Sequence, residues 1–140
     1  MATVDFFEAR GSRWEEALCR QLEAEHAAGR RAYVWASSEA HARALDDLIW
    51  TFRDDAFVPH GLWQGEATAD EAITIGWKAG NPNAADCLVL VRDAQPGELT
   101  GYARVIDFAP VDHPALREAA RRRFRTFREA GLTVSFHPAP

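Results

Sequence analysis

Arg117, Arg121, Arg125 and Arg128 recur at intervals of four and three residues with Phe124 among them, shortly after the run Asp107-Phe108-Ala109-Pro110. A guanidinium presents its donors in a planar fork that matches a carboxylate bidentately, so this pattern suits recognition of an anion, with a ring at hand for an apolar group. Like charges three or four residues apart on a helix repel by roughly 0.2 to 0.5 kcal/mol per pair, and a helix serving stability alone would more often alternate its signs. The other reading is a solvated surface. Arg125 with Glu129 and Glu118 with Arg122 have i,i+4 spacing, and cations in the last turns suit the helix dipole. The helix alone leaves both readings open.

Other chemistry is harder to find. Neither a G-x-G-x-x-G run nor a Walker pattern follows any expected strand, so a nucleotide site lacks its usual phosphate cradle. His26, His41, His60, His113 and His137 are scattered. His60 could be set beside Asp54 or Asp55 as a base, but Pro59 and Gly61 on either side read as a turn. Cys19 and Cys87 match no zinc spacing and are too few for a disulfide framework. The expectation is a protein with no catalytic constellation, no cofactor and no metal.

The elements that must hold the arginines are well marked. A helix is expected from about His113 to Ala130, started by Asp112, tolerating Pro114 in its first turn and stopped by Gly131. Its core face would be Leu116, Ala119, Ala120, Phe127 and Ala130. Upstream, Thr3 to Phe7 reads as a strand, Ser12 to Ala28 as a helix, Ala32 to Ala36 as a strand, and Ser37-Ser38 as caps for a helix reaching Trp50. Ala72 to Trp77, Cys87 to Val91, Gly101 to Phe108 and Leu132 to Phe136 read as further strands. This alternation, with strands too apolar to be half exposed, predicts an α/β sandwich with a mostly parallel sheet and helices on both faces. Between Trp50 and Gly61 lies an unusually apolar loop, Phe52 to Gly61. Trp50, Phe52 and Phe57 either fold inward over the sheet edge or form an exposed patch for a partner.

With 140 residues and 47% hydrophobic content the chain fits one domain with a core of ordinary size. Its formal net charge of -5 disfavours general affinity for nucleic acid or an anionic membrane, although a local basic patch still acts within a Debye length. The N-terminus shows no basic region followed by a long apolar run, which predicts a soluble, cytoplasmic protein.

Asp46-Asp47-Leu48-Ile49-Trp50, Phe57-Val58-Pro59-His60, Ile75-Gly76-Trp77, Val105-Ile106-Asp107-Phe108-Ala109-Pro110 and the segment from Arg121 to Gly131 follow one another over nearly the whole chain. In that order they resemble the chi subunit of bacterial DNA polymerase III. The resemblance implies a Rossmann-like fold without a nucleotide site and a non-enzymatic part of the clamp-loader complex that bridges two partners. One partner is the psi subunit, on a surface that maps to Trp50, Phe57, Val58 and Pro59. A helicase-like protein is a further candidate there. The other partner is single-stranded DNA-binding protein, whose acidic C-terminal tail, ending in Phe, docks beside the basic helix and an Asp-Phe-x-Pro turn. The matching positions are Arg117, Arg121, Phe124, Arg125, Arg128, Phe108, Ala109 and Pro110. Here Phe124 stands where tyrosine is common and Ala109 where a larger aliphatic occurs. No cofactor, membrane or direct nucleic-acid contact is implied. A direct single-strand binder is the alternative, but it needs a basic groove lined with several stacking rings, and this chain confines its basic cluster to one helix.

Overall fold

The computed structural model describes residues 2–11, 13–52, 59–66 and 69–139. Seven strands form one sheet in the order β3-β4-β2-β5-β6-β1-β7, and every neighbouring pair runs parallel. The strands are β1 (Thr3–Ala9), β2 (Ala32–Ala36), β3 (His60–Leu62), β4 (Ile73–Gly76), β5 (Cys87–Val91), β6 (Arg104–Pro110) and β7 (Thr133–His137). All five residues of β2 are buried, because the sheet carries helices on both faces. Alternation along β2 sorts them: Ala32, Val34 and Ala36 pack with α1 (Arg13–Ala27) and α2 (Glu39–Thr51), while Tyr33 and Trp35 share the opposite core with α3 (Pro114–Glu129).

The expected sandwich is therefore present, and its sheet is wholly parallel. Two local readings change, and one connection gains structure. His60–Leu62, expected in the apolar loop, is an edge strand held by pairing with β4 rather than by its own propensity. The strand expected from Gly101 to Phe108 runs on to Pro110, so the Asp-Phe-x-Pro turn implied by the resemblance is the end of β6, with Pro110 at the strand's last position, where a missing N–H costs the ladder little. A short 3-10 turn, Pro96–Leu99, lies in the connection between β5 and β6, where the Gln95 N–H donates to Glu98 Oε1 at 2.8 Å.

From β6 the chain returns along α3 and emerges as β7 on the far side of β1. His113, not Asp112, caps α3: its Nδ1 accepts from the Leu116 N–H at 3.2 Å, while Asp112 accepts from the Gly11 N–H at 2.6 Å. At the other end Gly131 adopts φ 92°, and the Leu132 N–H donates to the Phe127 carbonyl at 3.1 Å. Ala120 and Phe127 are buried by α3, and Phe127 lies against Phe6 at 6.2 Å between ring centroids. Leu116 and Ala130, expected on this core face, are exposed. Leu116 instead borders an open crevice at the C-terminal ends of the strands.

Candidate functional site

Because α3 turns 100° per residue, Arg117, Arg121, Arg125 and Arg128 fall within an arc of about 80° on one flank. All four are exposed. The i,i+4 pairs allowed by the sequence do not form. Among the described residues the flank's one ion pair is Arg121 with Glu118 at 3.9 Å, and Arg117, Arg125 and Arg128 have none. Instead the Arg128 guanidinium lies 5.7 Å above the Phe124 ring, a cation–π arrangement. Phe124 itself packs on Phe6 at 5.4 Å, so one half-buried ring serves the core and also borders the basic flank. Phe136 sits close by. The register pairs it with Phe6, which places it on the α3 face of β7, and it is 44% exposed. Sequence reading missed Phe136, although its alternation with Val134 was a usable signal.

The opposite flank of α3 carries Arg123, about 160° around the helix from Arg121. Its Nε donates to Asp107 Oδ2 at 2.8 Å, its Nη2 to Asp107 Oδ1 at 3.0 Å and its Nη1 to Asp93 Oδ1 at 3.1 Å. Asp107 also accepts from the Phe108 N–H at 2.7 Å. Burial pushes the Asp107 carboxyl above its ordinary range, and the Arg123 guanidinium pulls the other way. Spacing alone did not single out Arg123; a carboxylate in a strand as apolar as β6 was the clue that some cation must reach it.

Alternation along β6 also divides the expected tail-binding positions. Phe108 points to the α1 and α2 side, is only 5% exposed and lies 6.5 Å from Phe7, so it is withdrawn from the α3 surface. Ala109 faces the other way and packs in the core beneath α3. Pro110 lines a crevice of about 440 Å³ at the C-terminal ends of β5 and β6, together with Trp14, His41, Leu116, Ala119 and Arg123. The five residues on α3 thus share one flank, Ala109 underlies them, and Phe108 and Pro110 look elsewhere.

At the opposite edge of the sheet, Trp50 in the last turn of α2 is 52% exposed, whereas Phe52 is half-buried against the core. The apolar stretch therefore divides between the two readings. Beneath Trp50, with ring centroids 4.5 Å apart, lies His60. Expected as a turn residue, His60 is buried in β3 and its Nε2 sits 3.1 Å from Asp46 Oδ1. Pro59 is half-buried beside it. Phe57 and Val58 lie outside the described residues, as do Asp54 and Asp55.

Cys19 and Cys87 are buried, and desolvation pushes both thiols up to about 12, which keeps them protonated at neutral pH and poor as nucleophiles or ligands. Among the described residues no group of three or more His, Cys, Asp or Glu is placed to hold a metal ion, and no helix is long and apolar enough to cross a membrane.

Comparison with known proteins finds relatives across the whole chain. The family model described as DNA polymerase III chi subunit, HolC, matches residues 1–135. A protein of Pseudomonas aeruginosa named DNA polymerase III subunit chi is 34% identical over 143 aligned positions, covering 100% of this chain and 99% of the relative. The protein of that name from Haemophilus influenzae is 32% identical across 86% of this chain and 84% of its own length. The one from Escherichia coli is 25% identical across 86% and 82%.

Proposed function

The chain belongs to the DNA polymerase III chi subunit family, and from that footing we propose that it is a non-catalytic adaptor of the replication machinery in the cytoplasm. In this reading it joins the acidic C-terminal tail of single-stranded DNA-binding protein to the psi subunit of the clamp loader. The observation that carries the tail contact is the α3 flank: three exposed arginines without an ion pair among the described residues, a fourth held only at 3.9 Å, and two rings, Phe124 and Phe136, beside them. Arg121 and Arg125 would take carboxylates bidentately, and the tail's terminal Phe would lie against Phe124 and Phe136. The psi contact would centre on Trp50 with Phe57, Val58 and Pro59, and a helicase-like protein would use the same surface.

A labelled tail peptide titrated into wild type, Arg121→Ala and Arg122→Ala tests the tail contact. Loss of the Arg121 fork is expected to cost roughly 2 kcal/mol or more, while Arg122, exposed on the solvent side of α3, should matter little. Equal affinities for all three proteins would sink the assignment. For psi, Trp50→Ala should leave the melting temperature unchanged because the ring is already half in solvent, yet weaken capture of psi by about 2 kcal/mol. Unfolding of this variant would show that the ring serves the core instead.

A further inference from the structure

The outer side of β7 pairs with no strand among the described residues, and four of its five residues are exposed. In a parallel strand, alternate residues direct both N–H and C=O to the same side, so β7 presents a row of backbone donors and acceptors beyond the sheet. We propose that β7 is a docking edge on which an extended acidic peptide adds as an eighth strand. This deepens the preceding reading and rests on it, since the occupant is the acidic tail.

Three observations select that occupant. Five strand residues span about 17 Å and the stretch of α3 from Arg117 to Arg128 rises about 17 Å, so backbone edge and cationic flank match in length, and α3 packs against β7. A strand added to β7 turns alternate side chains towards α3, where carboxylates meet Arg121 and Arg125 and an apolar residue meets exposed Phe136. Edge-to-edge pairing of two copies would bring two basic flanks together, so the arginines disfavour self-association and favour an acidic strand. The other edge, β3, has three residues, and among the described residues no row of arginines borders it.

The test is hydrogen exchange of the full chain with and without a short synthetic peptide rich in Asp and ending in Phe, binding itself being followed by titration. Outward-facing β7 amides should slow by about tenfold or more at saturation. Backbone N-methylation of the peptide should weaken binding about tenfold at alternate positions and hardly at those between. Binding with unchanged β7 exchange, or without alternation, overturns strand addition and leaves the tail reading standing. Absence of binding overturns both. Concentration-dependent β7 protection without peptide would assign the edge to a second copy instead.

Discussion

Two arginines two residues apart on α3 are set to opposite tasks by the side of the helix on which they fall. Arg121 is open to solvent, and its nearest carboxylate, on Glu118, is at the limit of an ion pair. Arg123 is almost enclosed and holds Asp107 through two hydrogen bonds. Removing one partner of a buried pair leaves an uncompensated charge, so Arg123→Met should destabilise the fold by about 3 to 5 kcal/mol in denaturant unfolding. Asp107→Leu combined with Arg123→Met should recover most of that loss, because a well-packed apolar pair avoids the desolvation of both charges. Arg121→Ala should stay within about 0.5 kcal/mol of wild type in the same assay while losing the tail peptide. If Arg123→Met unfolds like wild type, the buried pair is not what fixes α3 on β6.

Between elements, a second ion cluster ties α1 to the start of β6. Glu25, near the end of α1, is 1% exposed, receives the Arg30 Nε–H at 2.6 Å and is bridged by Arg104 at the first position of β6. Burial by itself raises this carboxyl's pKa, but hydrogen bonds from Arg30 and Arg104 outweigh it and hold the group below its ordinary range. A depressed acid stabilises the fold above its unfolded value and loses that contribution as pH falls through the folded one. Glu25→Gln should therefore cost about 3 kcal/mol at pH 7, and its gap from wild type should narrow below about pH 4. A gap constant down to pH 2 would exclude an electrostatic origin. Such links are hardly legible in sequence. Continuous apolar runs were enough to place β2 and β5, and the cap at Gly131 was enough to end α3. His60–Leu62 was hidden because its strand character comes from β4, a neighbour fixed only by the fold. The resemblance set Phe108 beside the basic helix, but as the fifth residue of β6 it points to the other face of the sheet. The basic flank was readable from helical spacing; spacing could not tell which arginine would face Asp107.

Across the whole molecule, the two proposed contacts lie at opposite ends of the sheet. The Trp50 surface borders β3, and the arginine flank borders β7. Six steps of about 4.8 Å separate those strands, or roughly 29 Å, against a Debye length of about 8 Å at physiological salt. Between them runs a parallel sheet with a close-packed core on each face, which has no second arrangement available at low cost. Coupling between distant sites requires an element with two states that both ligands bias, and among the described residues the two edges are joined by this packed sheet. The proposed adaptor should therefore bridge passively. Calorimetric titration of the tail peptide into the free chain and into its complex with psi should give affinities equal within about 0.5 kcal/mol, and a ternary complex should form at the product of the two separate affinities. A tenfold change, about 1.4 kcal/mol, would show that occupation of the Trp50 edge is transmitted through the sheet to α3, and the protein would then be a switch rather than a tether.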